Sequence, residues 1–300
     1  MNNAQKTSLL IMAAGLGSRY GGNKQVDRIG PDGEILMKYS VYDAIKAGFN
    51  KIVLIIKPEY RELLEDIFSD YIESGIEFCF AYQDFSSIPD IYKIPTERTK
   101  PFGTVHALLC AKDIIKEPFA VINADDFYGA DAFKVMHAEL VSLDNSKRAI
   151  MVAYSLKNTV SENGTVTRGI CNVTNGVLSS IVETYDIAIN DDGNIISDGA
   201  LLDENLPTSM NMWGFYPSIF QKLDESFKAF LMNIKEGDIK AEYVLPSFVD
   251  EQIKTDSLEV SVLKTNSAWF GVTYKEDRVK VANRLLQMKE SGEYPKNLSL

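Results

Sequence analysis

The sequence predicts an α/β fold built on a doubly wound, mostly parallel sheet, and three observations carry that expectation. Largely apolar runs such as Leu9–Ala13, Lys51–Ile56 and Phe119–Asn123 lack the alternation of a half-exposed strand, so they read as strands buried on both faces. Helically spaced stretches separate them, the alternation that covers a parallel sheet on both sides. The first run breaks into Gly15, Gly17, Gly21 and Gly22, a glycine-rich turn after a buried strand.

In chain order, Leu9–Ala13 is the first strand, and a helix around Val41–Ala47 stops at Gly48. Lys51–Ile56 follows as a strand. Pro58 and Glu59 then open a helix well, proline at the first position and acid in the first turn. Leu63, Leu64, Ile67, Phe68, Tyr71 and Ile72 recur along it at helical spacing. Ile76–Ala81 reads as a third strand. Tyr82 to Lys100 is a long polar loop interrupted by Pro89 and Pro95, a length that marks functional loops. A helix over Thr104–Ile115, the strand Phe119–Asn123 and a helix over Asp131–Leu143 complete the first half. The second half departs from the alternation. Ala149–Leu156, Ile170–Thr174, Val177–Glu183, Ser209–Tyr216 and Leu258–Lys264 read as strands, with a polar connection from Asp186 to Glu204. Helices are expected over Ser218–Asn233, Ala241–Asp250 and Lys275–Ser291. With no repeat and no long linker, one domain over 1–300 is expected, with a 1–145 half, a 146–300 half and a closing C-terminal helix.

The 300 residues are 45% hydrophobic and 24% charged, ordinary values for a globular chain. The net charge of −11, with no basic run, argues against nucleic acid and anionic membranes as partners. Cys79, Cys110 and Cys171 are odd in number and scattered, and His106 and His137 are the two histidines. A Cys/His zinc site is therefore not expected, and buried free thiols fit a reducing compartment. The apolar run near the N-terminus lacks the features of a signal peptide, and no stretch reaches the roughly 20 apolar residues of a membrane helix. A cytoplasmic location is the expectation.

The segment Leu10 to Gln25, L-I-M-A-A-G-L-G-S-R-Y-G-G-N-K-Q, presents backbone N–H groups without side-chain obstruction, which suits phosphate. A dinucleotide loop fits poorly. Its third glycine is displaced to Gly21, and the second strand runs into Lys57 where a ribose-binding acid would stand. The Walker A pattern is absent. Arg19 and Lys24, two cations just beyond the glycines, suit the β- and γ-phosphates of a triphosphate. Val121 to Gly129, V-I-N-A-D-D-F-Y-G, places Asp125 and Asp126 at the carboxyl end of a buried strand, where open α/β sheets bind ligands. One or two carboxylates plus phosphate oxygens suit Mg²⁺. A turn or cap acid is the ordinary alternative for either residue. Asp126 is expected to face away from Asp125 if the chain stays extended.

This G-x-G-x-R…K arrangement after Ala13-Ala14, with the acidic turn, resembles the sugar-phosphate nucleotidylyltransferases of the glucose-1-phosphate thymidylyltransferase type. The resemblance runs over nearly the whole chain, is strongest from Leu10 to Gly129, and is not a close match to one member of known substrate. It implies a Rossmann-like, GT-A-like nucleotidyltransferase domain with an added mixed β region for the acceptor. It also implies nucleotide contacts from Ala14, Gly15, Leu16, Gly17, Gln83, Gly103 and Thr104. Arg19, Lys24 and Asp125 become the catalytic set, with Mg²⁺ on Asp125. Asp126, Gly169, Glu183 and Asn211 become acceptor contacts. Asn211, polar among apolar neighbours, reads equally as a core residue with its own partners.

Two positions depart from the resembled pattern. Glu183 is followed by Thr184 and Tyr185 where Lys and Pro are expected, so the acceptor-phosphate cation falls to Arg168, Lys264 or Lys275. Trp269-Phe270-Gly271-Val272-Thr273 lacks the Asp of W-x-D-x-G-T. The implied reaction moves a nucleoside monophosphate from an NTP to a sugar 1-phosphate with release of pyrophosphate. A cytidylyltransferase for phosphocholine or a similar phosphoalcohol is an alternative, and for a quaternary ammonium Tyr185, Trp213 and Trp269 could form an aromatic cage. A non-catalytic nucleotide-sugar sensor is a further alternative. The base, the acceptor and the oligomeric state are left open.

Overall fold

The buried apolar runs form the centre of one sheet in the computed structural model, which describes residues 5–15, 28–145, 147–271 and 276–300. β1 (Ser8–Met12), β2 (Lys51–Ile56), β3 (Glu77–Tyr82) and β4 (Phe119–Asn123) run parallel in the order β4-β1-β2-β3. The chain leaves β1 for β2 on one side and returns as β4 on the other. The carboxyl ends of β1 and β4 thus border a switch point, where an open α/β sheet forms its crevice. Met12 is in register with both Ile55 and Asn123, so the glycine-rich segment and the acidic turn leave neighbouring strands at the same level.

Alternate residues of these strands supply two cores. Leu10, Val53 and Val121 pack with α4 (Thr104–Leu109), α6 (Ile219–Met232) and α7 (Leu245–Lys254). Leu9, Ile11, Ile52, Leu54 and Ile122 pack on the other face. There they meet α1 (Leu36–Ala47), α2 (Arg61–Ile67), α3 (Ser69–Glu73) and α5 (Ala130–Leu140). Both faces are covered, which is why these strands carry apolar residues without alternation.

The second half makes the sheet mixed rather than mostly parallel. β6 (Arg148–Ser155), β7 (Val166–Thr174), β8 (Val177–Ile189), β9 (Ile195–Ser197), β10 (Ala200–Leu201), β11 (Pro207–Phe215) and β12 (Glu259–Lys264) join the first four in an 11-stranded sheet among the described residues. β11 lies antiparallel between β4 and β6, and β12 runs parallel to β6. β7 pairs antiparallel with β8 and β11. Asn175 and Gly176, both at positive φ, form the two-residue turn that joins β7 to β8 and fixes their register.

Several expected boundaries shift for local reasons. β8 continues to Ile189, and the expected polar connection contains β9 and β10, because Ile187 and Ile195 close a small core with Leu156, Val166 and Ile170. α1 begins at Leu36, since Leu36, Met37 and Tyr39 are buried with the rest of its inner face. α4 ends at Leu109, followed by turns to Ile115. Cys171 is buried, whereas Cys79 and Cys110 are half-buried, and all three thiols are free.

Two further parts complete the fold. β5 (Asp126–Phe127) pairs with β13 (Phe270–Gly271), and their Phe127 and Phe270 rings stack at 4.2 Å. α8 (Asp277–Glu290) and the C-terminal segment pack back on α1. The Lys289 ammonium donates to Asp32 (2.7 Å) and Glu34, and the Tyr294 hydroxyl donates to Asp43 Oδ2 (2.6 Å). Among the described residues no helix is long and apolar enough to cross a membrane.

Candidate active site

The carboxyl ends of β1–β4 and one face of β7, β8 and β11 enclose a cleft of about 1140 Å³. Ala14, Gly15, Gln83, Gly103, Thr104, Asp125, Asp126, Gly169, Glu183 and Asn211 all line it. Leu16, Gly17, Arg19, Lys24 and Lys275 lie outside the described residues.

On the β1–β4 side the exits are tied to their neighbours. Ala13 N–H donates to the Ile55 carbonyl (2.8 Å) and Ala124 N–H to the Met12 carbonyl (3.2 Å). Gln83 Nε2 donates to the Gly103 carbonyl (3.3 Å), which joins the end of β3 to the start of α4. Gly103 has φ +90, and a Cβ there would meet the Tyr243 backbone at 2.5 Å. Both facts demand glycine, since only glycine takes that conformation and that approach without strain. The Thr104 hydroxyl accepts from Leu245 N–H (2.7 Å), so it also secures the start of α7.

The acidic turn is held from below. Asn123 Nδ2 donates to Asp126 Oδ2 (2.8 Å). The Tyr128 hydroxyl accepts from Asn123 N–H (3.1 Å) and has the Met210 carbonyl (3.0 Å) and Asp126 Oδ2 (3.2 Å) within reach of its single proton. These bonds turn Asp126 into the cleft beside Asp125, against the expectation that it would face away. Burial raises the Asp126 pKa, and the Asp125 charge raises it further. Across the β5–β13 ladder its register partner is Gly271, where a Cβ would lie 2.8 Å from Asp126 Oδ1. The carboxylate therefore fills the place of a side chain at position 271, the position that lacks the expected Asp.

The opposite wall depends on register. Gly169 on β7 partners Glu183 on β8 and Ser209 on β11. A Cβ on Gly169 would meet Ile181 Cγ2 at 2.8 Å, so close strand packing alone accounts for this glycine. Arg168 partners Thr184, the position that lacks the expected Lys. Asn211 stands at φ +59 where the β11–β6 register shifts between Ser209 and Trp213. Bulges of this kind re-aim a side chain next to a site, and Asn is among the few residues that tolerate the left-handed conformation.

The three aromatic residues do not assemble into a cage. Trp213 is wholly buried in the core, Tyr185 is exposed and outside the cleft lining, and the Trp269 ring is already covered by the Arg168 guanidinium at 5.0 Å. Lys264 is exposed at the end of β12 and does not line the cleft. Lining residues that the sequence reading missed include Lys57, Ser209, Ser247 and Asp250. Lys57 alone carried a signal, as the residue that follows a buried strand. Ser247 and Asp250, on α7, are placed by tertiary packing that no local pattern announces.

The described lining holds the carboxylates Asp125, Asp126, Glu183, Glu242 and Asp250 against the cations Lys57, Lys100 and Arg168. Lys100 is paired with Glu242 at 2.7 Å. Among the described residues no group of three metal-ligating side chains occurs. Asp125 and Asp126 fit a hard cation that takes one or two carboxylates and completes its shell with phosphate and water oxygens.

Solved structures share this architecture. The inositol-1-phosphate CTP transferase of T. maritima matches with a TM-score of 0.65 at 17% identity, over 97% of this chain and 98% of that one. A Bacillus anthracis protein assigned as a glucose-1-phosphate thymidylyltransferase, solved with a sucrose, matches at 0.62 and 14% identity, over 93% and 95%. A UDP-glucose pyrophosphorylase complexed with UDP-glucose matches at 0.58 and 20% identity, over 94% and 99%. No curated protein matches the chain. The nucleotidyl transferase family matches residues 9–184, more than half of the sequence, and the chain is an enzyme that belongs to that family.

Proposed function

We propose that the protein transfers a nucleoside monophosphate from an NTP to a sugar 1-phosphate, releasing pyrophosphate. The observation that carries this reading is the two-sided cleft. The strand ends of a phosphate-type switch point face a wall that offers a carboxylate and an amide, Glu183 and Asn211, to hydroxyl groups. Among the described residues the Asn211 side-chain amide has no protein partner, which leaves it available to a ligand.

In the proposed reaction an oxygen of the acceptor phosphate attacks the α-phosphorus. The bond from that phosphorus to the oxygen bridging the β-phosphate breaks, and pyrophosphate leaves with the electron pair. The attacking phosphate is already anionic near neutral pH, so no general base is required. Bringing two anions together and stabilising the leaving group is the work of positioning and charge. Ala14, Gly15, Leu16 and Gly17 would cradle the triphosphate, and Arg19 and Lys24 would hold its β- and γ-phosphates. Gln83, Gly103 and Thr104 would border the base. Glu183, Asn211, Asp126 and the Gly169 backbone would orient the acceptor. Asp125 would hold Mg²⁺, which when bound screens the charge between the α-phosphate and the acceptor. A cleft whose described lining is richer in carboxylates than in cations needs that positive charge to admit two phosphates.

Pyrophosphate release tests the reading. The purified protein is incubated with Mg²⁺, each of the four common NTPs or dTTP, and pooled sugar 1-phosphates or phosphocholine. Release that requires one NTP and one sugar 1-phosphate is expected. Release with phosphocholine alone would replace the acceptor class, and nucleotide binding without release in any mixture would overturn the reaction.

A further inference from the structure

We infer that Arg168 is the residue that binds the phosphate of the acceptor, and so sets the requirement for a phosphorylated one. This rests on the proposed reaction. Three cations among the described residues line the cleft, and their positions separate them. Lys57 follows β2 on the wall that carries Gln83 and Gly103. Lys100 is neutralised by Glu242. Arg168 stands on β7 next to Gly169, whose register partner is Glu183.

The side chain of Arg168 is set in place before any ligand arrives. Its Nε donates to the Thr159 carbonyl (3.0 Å), Nη2 donates to the same oxygen, and Nη1 donates to the Thr167 carbonyl (2.9 Å). Its plane lies over the Trp269 ring at 5.0 Å. Carbonyl acceptors and an aromatic face orient a guanidinium. Arg168 lines the same cleft as Asp125 and Asp126. It thus stands on the wall that faces the acidic turn, where the attacking phosphate must meet the nucleotide. An arginine fixed in this way suits a phosphate monoester, which guanidinium binds through paired hydrogen bonds.

Steady-state kinetics of Arg168→Ala, Arg168→Gln and Arg168→Lys test the inference. Loss of a charge-assisted hydrogen bond costs about 1.5–3 kcal/mol, so the acceptor KM should rise about 10–100-fold in the Ala and Gln variants. The NTP KM should stay within about twofold, and Lys should recover part of the loss. Inorganic phosphate should compete with the acceptor in the unsubstituted protein and lose that effect in Arg168→Ala. Thr184→Lys in the Arg168→Ala background should restore acceptor affinity, because cross-strand partners hold their Cβ atoms about 4.5–5.5 Å apart. An unchanged acceptor KM, or equal rises in both KM values, would overturn the inference. If no mixture releases pyrophosphate, the proposed reaction fails separately. The thermal shift caused by α-glucose 1-phosphate then decides on Arg168. A shift lost in Arg168→Gln supports the assignment, and an equal shift in both proteins, or none in either, refutes it.

Discussion

The parallel half and the antiparallel half of the sheet build their walls of the cleft by different rules. In the β1–β4 half, cleft-lining residues follow the carboxyl ends of strands or open α4, so each cluster is continuous in sequence: Ala14-Gly15, Gln83, Gly103-Thr104 and Asp125-Asp126. In the β6–β12 half they lie within strands and meet across ladders. Gly169, Glu183 and Ser209 are neighbours through register alone. A wall of the first kind can be read as motifs. A wall of the second kind depends on pairings between strands, and a charge can move to the opposite strand without leaving the site. Arg168 opposite Thr184 has that arrangement, and Asp126 opposite Gly271 repeats it at the β5–β13 ladder that joins the walls.

The comparison breaks most visibly at Asp125. If the parallel wall carries the chemistry, Asp125→Ala should lower kcat about 10²–10³-fold, the usual loss when a charge-stabilising group is removed from such a site. Glu183→Ala should act mainly on acceptor KM, by about tenfold. Thermal unfolding should show both variants folded. Equal effects of the two on kcat would mean that the walls do not divide the work.

A second test concerns where the protein is sensitive to pH. Asp43 on α1 is buried beneath the Tyr294 hydroxyl, and burial raises its carboxyl from 3.8 to about 7, with Glu293 adding to the rise and Lys134 and the Tyr294 hydrogen bond opposing it. The native state therefore holds this proton while the unfolded chain releases it. Stability should be full below about pH 4, fall as pH rises toward 7, and then level off, by a few kcal/mol in all. Denaturant unfolding from pH 4 to 8 measures it. Asp43→Asn should flatten the dependence, and a variant that keeps the full slope would move its origin elsewhere.

A third test asks whether Gly103 is required by backbone geometry or by the ligand. Gly103→Ala forces a Cβ against the Tyr243 backbone at a positive φ. It should destabilise by about 1–3 kcal/mol and lower the unfolding temperature even without nucleotide. Loss of nucleotide affinity with unchanged stability would instead make Gly103 a residue required by the base.

What the sequence made legible follows the same division. The buried runs, the helix stop at Gly48 and the acidic turn after β4 are local consequences of strand burial and turn chemistry, and they stand where expected. The extension of β8, the short strands β9 and β10, and the turning of Asp126 into the cleft were not legible. Each depends on a partner far along the chain: Ile187 and Ile195 against Leu156, or Tyr128 held by the Met210 carbonyl. Among Arg168, Lys264 and Lys275, sequence offers no choice, because membership of the cleft wall depends on which strand pairs with which.

Asn211 gives the smallest expected effect and the sharpest division between function and fold. Its φ of +59 lies in the left-handed region, which costs most residues about 1–2 kcal/mol and glycine nothing. If the bulge in β11 exists to aim the Asn211 amide at an acceptor hydroxyl, Asn211→Gly keeps the bulge and removes the amide. Unfolding temperature should then stay within about two degrees or rise slightly, a change of a few tenths of a kcal/mol, while acceptor KM rises several-fold. Asn211→Ala should show the same rise in KM together with a lower unfolding temperature, because alanine bears the left-handed strain. A fall in stability for glycine with unchanged KM would assign Asn211 to packing. Placing the two variants side by side thus separates the conformation of the bulge from the group it presents.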